Sequence, residues 1–99
     1  MKKIKSVTTN TAAELAEALG LPTADGIEIE IRSHLNDKII SVVKLKGFTH
    51  AQVAKLASTS RTRVTAILNR NTSDVSTDLM LRILGSLGVK AKLQFKNAA

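Results

Sequence analysis

The apolar positions of the chain recur at helical spacing over most of its length. Between residues 27 and 43 an aliphatic side chain occurs at every fourth position, in a stripe formed by Ile27, Ile31, Leu35, Ile39 and Val43. The shorter stretch 27–32 alternates apolar and charged residues as a strand would, but no turn signal interrupts the longer period. The pattern therefore predicts one long helix over about 26–46, with Asp25 as its N-cap and Gly47 at its end.

A shorter helix is predicted before this one. Thr11 and Glu14 have the spacing of a capping box, and Gly20 supplies a C-terminal stop. These signals predict a helix over 12–19. The first ten residues have no sustained period, so we expect 1–10 to form a flexible arm.

Two further short helices follow the long one. Thr49 and Gln52 again have capping-box spacing, and the inward residues of that helix are Val53, Ala54 and Ala57. After a break at 58–59, Ser60 is placed to cap a second helix, whose inward residues are Val64, Ile67 and Leu68. Two helices of this length with about three residues between them predict a helix-turn-helix over 49–69, with the second helix, here called the reading helix, in the DNA major groove.

The C-terminal part of the chain predicts one more helix and then a strand. Ser76 or Thr77 caps the helix, whose apolar stripe consists of Leu79, Leu81, Ile83, Leu84 and Leu87. From residue 89 the pattern alternates, with Val89, Ala91, Leu93 and Phe95 on one face. The predicted fold is therefore an all-α domain of five helices over 11–88, followed by a C-terminal β-strand and tail over 89–99.

The predicted strand has no convincing partner within the chain. An unpaired strand leaves its backbone groups without hydrogen bonds, and the weak stretch 4–7 is the one other candidate. Pairing with the same strand of a second copy satisfies these groups by two-fold symmetry, with Val89, Ala91, Leu93 and Phe95 in the dimer contact. A disordered tail, or one paired within its own chain, stays open as the alternative.

Composition narrows the class of protein. A chain of 99 residues has the size of one domain, and with Phe48 and Phe95 as its two aromatic residues the core must be aliphatic. It contains no cysteine, and it has neither an apolar signal core nor a run long enough to span a bilayer, so we expect a soluble, cytoplasmic protein. No catalytic constellation, metal site or cofactor site is indicated, and we expect no enzyme.

Charge is distributed unevenly along the chain. Residues 1–37 hold four basic and six acidic side chains, a net charge of −2, whereas residues 38–99 hold eleven basic and two acidic ones, a net charge of +9. Together they give the total of +7. A half this basic is typical of a surface that faces a polyanion, although a solvated lysine-rich surface has the same composition.

The residues that carry the motif resemble the Cro/repressor-type (XRE) helix-turn-helix family, lambda-repressor-like in fold. They are most similar to its HigA-like antitoxin branch. The resemblance extends over about residues 12–96 and depends on Thr49, Val53, Ala54, Ser60, Val64, Thr65, Ile67, Leu68, Asn69, Asp78, Leu79, Leu84, Leu87, Gly88 and Val89. Two positions depart from the family pattern, which usually has Gln at His50 and Gly at Ser58. Glycine there relieves a left-handed backbone, which serine adopts at a cost of about 1 kcal/mol.

The resemblance implies a role for individual residues of the motif. Direct base readout is expected from Arg61, Thr62 and Thr65, and Arg61 is the strongest candidate because a guanidinium can bind the N7 and O6 of guanine with two hydrogen bonds. Phosphate contacts are expected at helix starts and flanks. These positions are Thr49, His50, Gln52, Ser60, Arg63, Asn69 and Arg70.

The same resemblance implies a transcriptional repressor. Antitoxins of this branch bind a palindromic operator in double-stranded DNA as homodimers, repress their own operon and neutralise a partner toxin, often an mRNA-cleaving protein of the HigB/RelE type. The acidic segment 12–37 could then meet a basic toxin surface. The alternative is a stand-alone phage or chromosomal regulator with no toxin partner.

Overall fold

The computed structural model describes residues 12–20 and 23–97, and within them all regular secondary structure is helical. The helices are α1 (Ala12–Ala18), α2 (Ala24–Lys46), α3 (His50–Ala57), α4 (Arg61–Leu68) and α5 (Thr77–Ser86). The all-α prediction and the helix-turn-helix, formed by α3 and α4, are confirmed. The predicted arm 1–10 and the predicted cap Thr11 lie outside the described residues.

Two compact units make up the chain. The larger one spans residues 31–93 and contains most of α2 together with α3, α4 and α5. Within it α3 packs against both α4 and α5. The smaller unit includes α1, the first turns of α2 and residues from 94 onward.

Helix α2 begins two residues earlier than its apolar pattern predicts. The hydroxyl of Thr23 accepts a hydrogen bond from the Gly26 backbone N–H at 3.0 Å, and the Thr23 carbonyl accepts one from the Ile27 N–H at 2.9 Å. Thr23 therefore acts as the N-cap, and the prediction of Asp25 in that role was wrong. Asp25 instead lies in the first turn, where a carboxylate interacts favourably with the positive end of the helix dipole.

The core of the larger unit is aliphatic, as the composition requires. Each of α2 to α5 contributes buried side chains, and Val75 joins them from the loop before α5. The buried apolar residues of the helices are Leu35, Ile39, Val42, Val43, Val53, Ala54, Ala57, Val64, Ile67, Leu79, Met80, Ile83 and Leu84, and Leu87, the C-cap of α5, is buried with them. The inward positions predicted for α3 are all buried, and in α4 Leu68 is partly buried beside the core.

The apolar stripes of α2 and α5 differ in part from their predictions. On α2, Ile27 and Ile31 are each 42% exposed, whereas Leu35, Ile39 and Val43 further along the stripe are buried. On α5, Met80 is fully buried whereas Leu81 is 43% exposed. Helical geometry places position 80 beside Ile83 and Leu84, and it turns position 81 away from them.

The predicted C-terminal strand is not formed. Residues 89–97 have no regular secondary structure, and all of them except Val89 are exposed. A strand requires a neighbour to accept and donate its ladder hydrogen bonds, and no strand occurs among the described residues. The alternating pattern is therefore insufficient to produce a strand in a single chain.

Across residues 12–20 and 23–97, no helix combines the length and the apolar character needed to cross a bilayer.

Candidate nucleic-acid interface

The start of α3 is fixed by both hydrogen bonds of a capping box. The Thr49 hydroxyl accepts a hydrogen bond from the Gln52 N–H at 3.1 Å, and the Gln52 side-chain oxygen accepts one from the Thr49 N–H at 2.8 Å. Both side chains are exposed. The pair therefore caps the helix and also lies at a surface where phosphate could approach.

A left-handed residue forms the turn between the two helices of the motif. Ser58 has φ +54° and ψ +49°, and Thr59 N–H donates to the Ala54 carbonyl at 2.9 Å. This arrangement closes the end of α3 in the way that a C-terminal glycine commonly does. The sequence prediction that Ser58 adopts the conformation usually taken by glycine is confirmed.

The first turn of the reading helix, α4, is solvent-exposed. Ser60 has extended backbone angles, and its hydroxyl accepts a hydrogen bond from the Arg63 N–H at 3.2 Å, so it caps the helix as predicted. Arg61, Thr62 and Arg63 follow, and all three are exposed. Because Val64 and Ile67 bury the opposite side of α4, the polar residues of its first turn stay in solvent.

The third predicted base-reading residue has a different environment. Thr65 is half-buried, and its hydroxyl lies 2.9 Å from Nδ1 of His50, the first residue of α3. The structure thus brings together a residue predicted for base readout and one predicted for phosphate contact. This hydrogen bond links the two helices of the motif and restricts the orientation of both side chains.

The end of the reading helix carries a second left-handed residue. Arg70 has φ +60°, and Asn71 N–H donates to the Ala66 carbonyl at 2.8 Å, which closes the helix beyond its C-cap Asn69. The Arg70 guanidinium forms an ion pair with Asp37 of α2 at 2.7 Å, and both side chains are 58% exposed. An exposed pair of this kind contributes only about 0–1 kcal/mol, so phosphate can compete with Asp37 for Arg70.

Three residues at this end of the helix were missed by sequence reasoning. Arg32, Asn36 and Asp37 of α2 all contact the segment from Ile67 to Thr77. The last residues of segment 12–37 therefore contact the reading helix and the loop that follows it. A signal was present, because Arg32 and Asn36 lie at i and i+4 on the same face as the buried Ile39 and Val43, where a polar residue needs a partner.

The motif as a whole is positively charged. Residues 49–70 contain Lys55, Arg61, Arg63 and Arg70 and no acidic residue, and all four basic side chains are exposed. A polyanion that approaches this segment would meet these four positively charged side chains, of which Arg70 is paired with the carboxylate of Asp37. The arrangement suits the binding of a phosphate backbone, with side-chain donors of α4 left to contact bases.

The four predicted dimer contacts differ in their exposure. Val89 is half-buried against the core, and its N–H donates to the Leu84 carbonyl at 3.2 Å, which closes α5. Ala91, Leu93 and Phe95 are exposed, Phe95 by 84%. In the single chain, Val89 therefore belongs to the core and the other three lie in solvent.

The described residues contain no group of three or more His, Asp or Glu side chains close enough to hold a metal ion.

The chain was compared with curated proteins, with solved structures and with models of protein families. No significant match was found among curated proteins or among solved structures. A family model described as a helix-turn-helix domain matches residues 15–96, which is well over half of the chain. The match includes both helices of the motif and the helices that pack against them, and a domain of this kind is typical of DNA-binding regulators. The chain belongs to this family of helix-turn-helix domains.

Proposed function

We propose that this protein is a sequence-specific transcriptional repressor that binds double-stranded DNA and has no catalytic activity. The observation that carries the proposal is the exposed first turn of α4, where Arg61, Thr62 and Arg63 follow directly on the capped helix start. The cap directs backbone N–H groups toward an approaching phosphate, while the side chains beyond it extend into the groove. Repression then follows from occupancy of a promoter.

The residues of the motif divide into two roles. Arg61 and Thr62 read base edges, and Thr65, oriented by His50, supports them from the next turn. The phosphate contacts come from Thr49, His50, Gln52, Ser60, Arg63, Asn69 and Arg70. Of these, Arg70 exchanges its Asp37 carboxylate for a phosphate oxygen when DNA binds. Because these contacts release counterions, affinity should fall steeply as salt rises.

The test is a fluorescence-anisotropy titration with the DNA upstream of the gene and with a scrambled duplex of the same composition, each at two salt concentrations. Arg61→Ala should reduce the preference for the upstream duplex by roughly tenfold or more, because the guanidinium supplies a bidentate base contact. Arg82→Ala removes the same charge from an exposed position on α5 and should leave the preference unchanged. Equal binding of the wild-type protein to both duplexes would contradict sequence-specific recognition.

A homodimer completes the proposal. The tail exposes Ala91, Leu93 and Phe95 on alternate positions, and an identical tail from a second copy can satisfy its backbone groups by two-fold pairing. Two reading helices would then meet half-sites about 34 Å apart on a palindromic operator.

The proposal also includes a role as an antitoxin, which binds and neutralises a toxin. Residues 12–30 contain five acidic side chains and no basic one, and within them Leu15, Leu19, Ile27 and Ile29 are 42–69% exposed. Exposed apolar side chains on an acidic segment suit a basic protein partner, here an mRNA-cleaving toxin of the HigB/RelE type. Co-expression with any small basic protein encoded beside the gene, followed by co-purification, tests this role. Without such a neighbour the protein is a stand-alone phage or chromosomal regulator.

A further inference from the structure

Helix α2 makes side-chain hydrogen bonds to the backbone that follows the reading helix. Asn36 is 5% exposed, and its Nδ2 donates to the carbonyl of Ile67, in the last turn of α4, at 2.8 Å. That carbonyl also accepts a hydrogen bond from the Arg70 N–H at 3.0 Å, so Asn36 adds a second donor at the end of the helix. Asn36 thus contacts the reading helix at a point fixed along its axis.

Arg32, one turn earlier on α2, holds the loop that follows. Its guanidinium donates to the carbonyls of Thr72 and Val75 at 2.7 and 2.6 Å and to the hydroxyl of Thr77 at 2.9 Å. One planar side chain therefore connects the loop after α4 with the first residue of α5. We call Arg32 and Asn36 the α2 clamp.

The hydrogen bonds of the clamp are directional, whereas the apolar contacts of α4 are not. Burial of Val64 and Ile67 holds the helix against the core, but the hydrophobic effect has no preferred direction, so a helix can slide or rotate slightly at small cost. Hydrogen bonds require both distance and angle, and a buried donor without its acceptor is costly. Asn36 therefore favours one axial position and one rotation of α4, and Arg32 fixes the loop that follows the helix.

We propose that Arg32 and Asn36 are positioning residues for DNA recognition, which set the discrimination between sequences without touching DNA. The inference rests on the proposed function. Base contacts depend on short, directed hydrogen bonds and are lost when the reading helix shifts by a fraction of an ångström to about 1 Å. Phosphate contacts through long, exposed side chains tolerate such a shift. Loss of the clamp should therefore reduce specific binding and spare non-specific binding.

The variants are chosen to keep size or charge. Asn36→Leu removes the donor at similar volume. Arg32→Lys keeps the positive charge but replaces the planar fork with a single ammonium that cannot reach all three acceptors. Val42→Ala is the control, because it weakens the same core from the same helix and an aliphatic side chain donates no hydrogen bond. Circular dichroism and thermal melts of the full chain establish the temperature at which each variant is folded.

The measurement is the ratio of dissociation constants for two duplexes. One duplex is the sequence that the wild-type protein selects from a random library, and the other is its shuffled version. We expect Arg32→Lys and Asn36→Leu each to lower this ratio by roughly tenfold, with binding to the shuffled duplex changed less than about twofold. Val42→Ala should lower the melting temperature and keep the ratio.

Three outcomes overturn the inference or its basis. If folded Arg32→Lys keeps the wild-type ratio, the clamp has no role in discrimination. If Val42→Ala lowers the ratio of dissociation constants as much as the clamp variants do, general destabilisation explains the effect. If the wild-type protein itself selects no sequence, the proposed function fails, and that result is separate from the first two because it precedes any variant.

Discussion

Ser58 and Arg70 both adopt a left-handed backbone, and neither is glycine. Ser58 has φ +54° in the turn of the motif, and Arg70 has φ +60° after the reading helix. Such residues cost about 1 kcal/mol or more relative to glycine at the same position. Strain of this kind is retained where the side chain is useful, and the Arg70 guanidinium beside the motif fits that expectation.

Ser58→Gly should stabilise the protein by about 1 kcal/mol, because glycine adopts this backbone without steric cost. For a domain of this size the change raises the melting temperature by roughly 4 to 8 °C. Ser33→Gly is the matched control, since Ser33 is exposed in the middle of α2 and the same substitution there should destabilise by about 0.5 kcal/mol. Thermal denaturation of both variants measures the two effects. A lower melting temperature for Ser58→Gly than for the wild-type protein would show that the backbone at Ser58 is not strained.

The contact between His50 and Thr65 cannot be predicted from either position alone. The family resemblance implied a separate role for each, whereas the two side chains form one hydrogen bond across the motif. The two residues are 15 positions apart, on α3 and α4, so their contact depends on how these helices pack. Local spacing within either helix carries no information on that packing.

At the scale of elements, the helix caps were predicted well. Thr49, Ser60 and Ser76 each accept a hydrogen bond from the N–H three residues later, and all three have extended backbone angles. The signal is reliable because a cap forms between neighbours in sequence and needs no tertiary contact. The cap of α2 was misplaced because Thr23 and Asp25 are both good N-cap residues and lie two positions apart.

Substitutions at the N-caps of α4 and α5 can identify which of the two helix ends contacts DNA. Aspartate caps a helix as well as serine does, so Ser60→Asp and Ser76→Asp should both keep the melting temperature near that of the wild-type protein. Ser60→Asp places a carboxylate at the proposed phosphate contact and should weaken binding to any duplex by roughly tenfold or more. Ser76→Asp, at the start of α5, should bind DNA like the wild-type protein. Equal effects of the two changes on affinity would argue against contact at the start of α4.

At the scale of the whole molecule, the tail over residues 90–97 is exposed and has no regular secondary structure. Leu93 and Phe95 are 75% and 84% exposed, and the residues around them form no strand. Exposed apolar side chains at alternate positions are a pattern that pairing with a second chain would bury.

Leu93→Asp should dissociate the proposed dimer, because it places a charge on the face that pairing buries. Gln94→Asp introduces the same side chain one position later, on the opposite face of an extended tail, and should leave the dimer intact. Sedimentation equilibrium of both variants and the wild-type chain measures the change. A wild-type protein that is monomeric throughout the concentration range would rule out this mode of dimerisation, as would equal behaviour of the two variants.

The sequence by itself determined the helices, the caps of α3, α4 and α5, and the basic character of the motif. Each of these follows from residues within a few positions of one another or from a simple count of charges. Only the tertiary structure decided how much of the α2 stripe is buried and that Met80 rather than Leu81 faces the core. It also decided that Asn36 holds the reading helix and that Arg32 holds the loop after it. The clamp joins residues 31 to 45 positions apart, and such contacts depend on the packing of whole helices rather than on spacing within any one of them.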